Sequence, residues 1–111
     1  MGSNSPHLDV AIDDASSPVI VRATGEVDVA TTGLLTDALG RAIDAAVATP
    51  RSVRVDLSGV TFIDSSGLRS LLVARTRSAA ESVTFAVEPA SAAVERLISM
   101  TGLDDLLRPA G

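Results

Sequence analysis

The chain of 111 residues contains no cysteine and no lysine, and its one histidine, His7, lies in a polar leader. Without cysteine, the chain can form no disulfide, no thiolate zinc site and no cysteine nucleophile. The folded part also has no imidazole for a catalytic triad or a histidine-based metal site. The lack of lysine excludes the Walker-type Gly-x-x-x-x-Gly-Lys-Ser/Thr motif of nucleotide hydrolases. We therefore expect no catalytic residue, no metal and no other cofactor.

Aromatic side chains are also scarce, since Phe62 and Phe85 are the only two. The hydrophobic fraction of 46% is otherwise mostly Ala, Val, Leu and Ile, so aliphatic residues are expected to fill the core. No apolar run approaches the roughly 20 residues that a membrane-spanning helix requires, and the N-terminus lacks the layout of a signal peptide. The net charge of −5 argues against nucleic-acid binding, which needs clustered cations. These features predict a cytoplasmic chain whose partners are proteins.

The length of the chain fits one domain with a single core. We expect that domain to span residues 7–108. Residues 1–6, Met-Gly-Ser-Asn-Ser-Pro, are typical of a cloning remnant or a flexible leader, and we expect them to lie outside the fold.

Hydrophobic spacing predicts the element order β, β, α, β, α, β, α. The first two strands are separated by a polar, turn-rich link that favours a hairpin, and residues 25–28 are expected to leave the second strand. Pro89 and Ser91 are expected to open the last helix, and Gly102 suits a left-handed C-terminal cap. The predicted strands are 7–12, 18–24, 52–57 and 82–87, and the apolar helical spacing begins near residues 34, 68 and 92.

Strands joined through helices are parallel, and such crossovers are nearly always right-handed. If the last three strands lie side by side in chain order, both crossover helices pack on the same face of the sheet. The predicted fold class is therefore α/β, with a small mixed β-sheet, an N-terminal hairpin and a parallel βαβαβ part. The helices are expected mainly on one face, and the opposite face is expected to be comparatively open.

Residues 64–67, Asp-Ser-Ser-Gly, lie between a buried strand and the start of a helix. The first amides of a helix lack partners and carry partial positive charge, so an anion is favoured there. A phosphate on serine adds about −1.5 to −2 charges, enough to break an interface packed against the bare hydroxyl. Gly67 is expected to keep the approach to Ser65 and Ser66 uncrowded. The alternative from local physics is that one of these serines simply caps the helix.

The sequence resembles the STAS family, in particular the bacterial anti-sigma factor antagonists, over nearly all of its folded length. Three blocks in the expected order carry the resemblance: residues 24–28, Thr-Gly-Glu-Val-Asp; residues 56–68, which include the Asp-Ser-Ser-Gly motif; and residues 94–103, a helix ending in Thr-Gly-Leu. The resemblance implies the STAS fold for the whole domain.

By this resemblance, Ser65, directly after the motif aspartate, is phosphorylated by a partner kinase, and Ser66 is the better candidate for the helix cap. The implied partner is an anti-sigma factor that is also an ATP-dependent serine kinase. The dephosphorylated antagonist binds it and frees a sigma factor, whereas the phosphorylated form dissociates. A PP2C-like phosphatase resets the switch.

The residues expected to bind the partner surround this serine. Asp64 is expected to orient its hydroxyl or to contact the partner. Asp28 follows a strand that ends on the same edge of the parallel sheet, so it is expected near Asp64. The alternative for Asp28 is a cap or turn carboxylate before Thr31. The full expected set is Asp28, Asp64, Ser65, Ser66, Gly67, Leu68 and Arg69.

Two other functions fit parts of the pattern. The first is a STAS interaction module of an anion transporter or a lipid-trafficking system, which shares the fold and part of the motif. The second is a weak nucleotide hydrolase. The complete Asp-Ser-Ser-Gly motif and the absence of a membrane segment favour the antagonist, and no motif in the sequence supports the hydrolase.

Overall fold

The computed structural model describes residues 7–15 and 17–107 of the chain. The predicted leader and the last residue of the predicted domain, Arg108, lie outside these described residues. The strands are β1 Leu8–Asp13, β2 Val19–Val27, β3 Val53–Ile63 and β4 Phe85–Ala90, and the helices are α1 Thr32–Ala48, α2 Ser65–Ala80 and α3 Ala92–Thr101, followed by a 3₁₀ helix at Asp104–Leu107.

The four strands form one sheet in the order β1-β2-β3-β4. β1 and β2 are antiparallel, whereas β2, β3 and β4 are parallel. This is the predicted mixed sheet, with a hairpin followed by two helical crossovers, and it confirms the predicted fold class. Chain order equals spatial order because each crossover returns the chain to the position next to the strand it left.

One face of the sheet carries the core. Val19, Val21 and Val55 point into it and are fully buried together with residues of all three helices. Among the described residues, the buried hydrophobic side chains are aliphatic apart from Phe85, as expected, and Phe62 is 48% exposed. The opposite face of β2 and β3 is polar and more open, and an ion pair of 3.7 Å joins two of its side chains, Arg22 and Asp56.

Two predicted strands end too early. β2 continues through the Gly-Glu-Val segment to Val27, and β3 continues to Ile63. The register between these strands shifts near Thr24 and Glu26. The shifts break the alternation of buried positions, so that Leu57 is followed by Val60 and Ile63 at spacings of three. Strict alternation therefore stops six residues before the strand does.

The last strand lies later in the chain than predicted. β4 begins at Phe85 and includes Pro89, so the expectation that this proline opens α3 is wrong. β4 is an edge strand, where a residue without an N–H is tolerated. Ser91 caps α3 as predicted, accepting a hydrogen bond from the Val94 amide, and Gly102 ends that helix at φ +73°.

Candidate functional site

The site lies where β2 and β3 end side by side. Val27 pairs with Ile63, and the ladder gains one further hydrogen bond, from the Asp64 amide to the Val27 carbonyl at 3.1 Å. Asp28 therefore follows the end of one strand and Asp64 the end of its neighbour. The predicted placement of both aspartates at one edge of the sheet is confirmed.

Asp64 is the N-cap of α2. Its Oδ1 atom accepts hydrogen bonds from the Ser66 amide at 2.9 Å and the Gly67 amide at 3.3 Å. The prediction that Ser66 caps this helix is therefore wrong, because the helix begins at Ser65 and the capping side chain precedes it. Aspartate is as good a cap as serine and adds a negative charge that suits the helix N-terminus.

The two serines of the motif differ in what their hydroxyls do. The Ser66 hydroxyl donates to Asp64 Oδ1 at 2.5 Å, and its residue is half-buried. Ser65 is exposed, and its hydroxyl makes no hydrogen bond within residues 7–15 and 17–107. The carboxylate of Asp64 therefore holds Ser66 rather than orienting Ser65. Of the two hydroxyls, that of Ser65 is the one that is exposed and has no partner among the described residues.

The expectation of open amides at the start of α2 is also corrected. The Asp64 amide bonds to Val27, and the Ser66 and Gly67 amides bond to the Asp64 carboxylate. The hydrogen bond from the Ser66 hydroxyl, together with those two amides, holds the pKa of Asp64 below its usual value. A phosphate on Ser65 would therefore lie next to the Asp64 carboxylate, which already accepts the Ser66 and Gly67 amides of the helix N-terminus.

We predict that Asp64→Ala lowers the free energy of unfolding by about 1 kcal/mol at neutral pH, the usual contribution of an N-cap. Because the pKa of Asp64 is lower in the folded than in the unfolded chain, its carboxylate stabilises the fold above the unfolded pKa. That stabilisation is lost as pH falls below about 4. The free energies of unfolding of the wild type and the variant, measured by urea denaturation, should therefore become equal in acid.

Asp64→Asn is the matched control for this prediction, since asparagine caps helices as well as aspartate does. It should retain most of the wild-type stability at neutral pH, with less dependence on pH below about 4. A gap between the wild type and Asp64→Ala that stays constant from pH 7 to pH 3 would contradict the assignment of the cap to the carboxylate.

Two of the residues expected to bind a partner lie beneath the surface. Leu68 is 6% exposed and belongs to the core. Gly67 is buried, and a Cβ there would lie 2.6 Å from Val27 Cγ1 and 2.8 Å from Ile63 Cγ1. The glycine therefore allows α2 to approach the ends of β2 and β3, rather than keeping the serines uncrowded as predicted. Arg69, in contrast, is exposed at the start of the second turn of α2.

Asp28 takes the alternative role of a turn carboxylate. Its Oδ1 atom accepts hydrogen bonds from the Ala30 amide at 2.9 Å and the Thr31 amide at 3.1 Å. The Thr31 hydroxyl, in turn, donates to the Glu26 carbonyl at 2.8 Å. Asp28 remains half-buried, so the same side chain that shapes the β2–α1 turn is partly open to a partner.

Thr32 and Ser70 are residues of the site that sequence reasoning missed. Their hydroxyls lie 2.8 Å apart and each is 3.3 Å from the Ser66 carbonyl. The spacing of four between Ser66 and Ser70 places them on one helix face, which is a signal in the sequence. The contact to Thr32 depends on how α1 packs on α2 and has no such signal.

Residues 7–15 and 17–107 contain no group of three or more His, Cys, Asp or Glu side chains arranged to hold a metal ion. Within that part of the chain, no helix combines the length and the apolar character needed to span a bilayer.

Comparison with known proteins agrees with this architecture. A family model described as Mlab, STAS domain, matches residues 10–109. The chain belongs to the STAS domain family. The anti-sigma-F factor antagonist RsfB of Mycobacterium tuberculosis is 30% identical to it over 101 residues, which cover 91% of this chain and 80% of the relative. Within the STAS family, the chain thus belongs with the anti-sigma factor antagonists.

Solved STAS structures support the same assignment. The crystal structure of an anti-sigma factor antagonist from Mycobacterium paratuberculosis superposes with a TM-score of 0.77 at 29% identity, covering 91% of this chain and 83% of that one. The unphosphorylated form of the antagonist SpoIIAA gives a TM-score of 0.74 at 19% identity, covering 93% and 89%. At that identity SpoIIAA supports the fold alone, and it shows that the STAS fold extends over nearly the whole chain.

Proposed function

We propose that this STAS domain is an anti-sigma factor antagonist whose unphosphorylated form binds a kinase anti-sigma factor and releases a sigma factor. Phosphorylation at Ser65 inactivates it. The observation that carries the proposal is the difference between the two motif hydroxyls. Among the described residues, the Ser65 hydroxyl is exposed and has no hydrogen-bond partner, whereas the Ser66 hydroxyl is bound to Asp64. The two Mycobacterium relatives named above are an anti-sigma-F factor antagonist and an anti-sigma factor antagonist, which supports the antagonist part of the proposal.

Ser65 is suited to be a kinase substrate because it needs only to present a hydroxyl. Phosphoryl transfer depends mainly on placing the nucleophile in line and neutralising charge around the phosphate, which the kinase and its metal ion supply. As the first residue of a capped helix, Ser65 has a defined backbone position, and its hydroxyl binds no other residue in the part of the chain that the structure describes. The chain is thus proposed to be a binding protein and not an enzyme, acting in the cytoplasm.

Inactivation follows from charge. A phosphate on Ser65 adds about −1.5 to −2 charges next to the Asp64 carboxylate. The Ser66 and Gly67 amides that would otherwise neutralise it already bond to that carboxylate. The added charge therefore faces outward, where it disfavours a partner packed against the bare hydroxyl. A PP2C-like phosphatase is proposed to restore the binding form.

The proposed partner surface consists of the exposed and half-buried residues at the edge of the sheet. Ser65 and Arg69 are exposed, while Asp28, Asp64 and Ser66 are half-buried. Gly67 and Leu68 support this surface from beneath and are not expected to contact the partner directly.

Phosphate transfer from ATP tests the proposal. The wild type, Ser65→Ala and Ser66→Ala are each incubated with a cognate kinase anti-sigma factor, and the phosphorylated residue is mapped by mass spectrometry. We expect one phosphate per chain in the wild type and in Ser66→Ala, and a loss of at least 90% of the label in Ser65→Ala because its acceptor is gone. Unchanged labelling of Ser65→Ala, or an unlabelled wild type, would overturn the assignment.

A further inference from the structure

Three hydroxyl groups join α1 to the first turns of α2. The Ser70 hydroxyl lies 2.8 Å from that of Thr32 and 2.8 Å from that of Thr36. The Thr32 and Ser70 hydroxyls each lie 3.3 Å from the Ser66 carbonyl. Thr32 and Ser70 are half-buried and Thr36 is exposed. Thr32, Thr36 and Ser70 are called the hydroxyl cluster below.

Counting hydrogens restricts how this cluster is bonded. Each hydroxyl has one hydrogen to donate, and the Ser66 carbonyl can only accept. In one arrangement Thr36 donates to Ser70, Ser70 to Thr32 and Thr32 to the carbonyl. In another, Thr32 and Thr36 both donate to Ser70, which donates to the carbonyl. Thr32 is linked to the Ser66 carbonyl directly in the first arrangement and through Ser70 in the second. Of the two threonines, Thr32 is the one whose hydroxyl lies within hydrogen-bond distance of that carbonyl, whereas the Thr36 hydroxyl contacts Ser70.

The position of Thr32 gives this link a consequence for the site. Thr32 is the first residue of α1, and its amide bonds to the Asp28 carbonyl at 2.8 Å. Ser66 follows Ser65 directly and shares the Asp64 cap. Thr32 therefore connects the turn that contains Asp28 to the turn that contains Ser65, the two segments that form the proposed partner surface.

We infer that Thr32 is a positioning residue that fixes the Ser65 turn relative to the Asp28 turn, so that one partner contacts both at once. The inference rests on the proposed function. A nucleophile misplaced by about 1 Å can lower the rate of phosphoryl transfer by a large factor. A serine hydroxyl that must enter a kinase active site therefore benefits when its turn is fixed by contacts to both Asp64 and Thr32. The Ser65 turn is therefore positioned by a contact between α1 and α2 before any partner binds.

The test compares Thr32→Val with Thr36→Val, because both changes replace a hydroxyl by a methyl group on the same helix. Loss of one hydrogen bond costs about 1 kcal/mol, which corresponds to a roughly fivefold change in a dissociation constant. We expect Thr32→Val to raise the Kd for the kinase anti-sigma factor, and the KM for phosphorylation of Ser65, by roughly threefold to tenfold. Thr36→Val should change both by less than about twofold, and Thr32→Ser should restore wild-type values.

A second measurement needs no partner. Backbone amide chemical shifts of residues 64–67 should move in Thr32→Val and stay near their wild-type positions in Thr36→Val and Thr32→Ser. If these amides do not move, or if Thr36→Val weakens binding as much as Thr32→Val, the inference is wrong. If the amides move as expected but the wild type is not phosphorylated and binds no anti-sigma factor, the positioning holds and the proposed function fails.

Discussion

Ser65→Asp is expected to weaken binding of an anti-sigma factor by roughly 30-fold or more, a loss of about 2 kcal/mol. The fold should remain intact, with the free energy of unfolding within about 0.5 kcal/mol of the wild type, because Ser65 is an exposed residue. Isothermal titration calorimetry against the unphosphorylated kinase anti-sigma factor, beside urea denaturation of the free chain, measures both quantities.

The expected loss of affinity has a local electrostatic cause. A carboxylate at position 65 would stand beside Asp64, whose own carboxylate already accepts the Ser66 and Gly67 amides. The exposed Arg69, four residues later on α2, can offset about 0.2–0.5 kcal/mol of the new charge, which would still have to be desolvated against the partner. Placing a charge in an interface without a counter-charge commonly costs several kilocalories per mole.

Ser65→Asn is the matched control, because asparagine has nearly the shape of aspartate without its charge. It should bind within about fivefold of the wild type, since it loses at most one hydrogen bond. If Ser65→Asn loses as much affinity as Ser65→Asp, side-chain size and not charge excludes the partner. Wild-type affinity in Ser65→Asp would mean that position 65 lies outside the interface.

Gly67→Ala is expected to lower the free energy of unfolding by about 1–3 kcal/mol, the usual cost of overpacking. The added Cβ would lie 2.6 Å from Val27 Cγ1 and 2.8 Å from Ile63 Cγ1, both in buried side chains that end the paired strands. Relief of these contacts requires α2 to move away from the sheet. Since α2 carries Ser65 on its first turn, binding should weaken together with stability.

Gly40→Ala is the control for this substitution. Gly40 lies within α1, and a Cβ there would meet nothing within 4 Å. Alanine is favoured over glycine in a helix by about 1 kcal/mol, so this variant should be more stable than the wild type. A Gly67→Ala variant as stable as Gly40→Ala by thermal denaturation would show that the first turn of α2 is not closely packed on the strand ends.

Much of the fold follows from the sequence pattern. Apolar spacing predicted the order of the elements, and the Ser91 and Gly102 caps of α3 were predicted from residue type alone. These features depend on interactions between residues near in sequence. The single open sheet face followed from the order of the strands and from the handedness of crossovers.

The errors lie where distant residues decide the outcome. The extension of β2 and β3 depends on register shifts between two strands that are far apart in the chain. The need for glycine at position 67 depends on side chains of Val27 and Ile63 packed beneath it. Residues adjacent in sequence reveal neither the register shifts nor this packing. Strict alternation therefore predicted strands that end too early, and Gly67 was assigned to the approach to the serines instead of to helix packing.

For the site, the resemblance separated Ser65 from Ser66, whereas local physics left both as caps. The structure adds a physical difference between them, because Asp64 is the cap and binds the Ser66 hydroxyl. Asp64 was the better candidate for the N-cap than either serine, because the capping residue precedes the first helical residue.

The most direct test of the phosphoswitch is the affinity of one preparation of the chain for its kinase anti-sigma factor before and after stoichiometric phosphorylation. The two samples differ only in the phosphate at Ser65. We predict that the phosphorylated chain binds at least 30-fold more weakly, about 2 kcal/mol, and that phosphatase treatment restores the original Kd. Equal affinity of the phosphorylated and unphosphorylated chains would contradict the account.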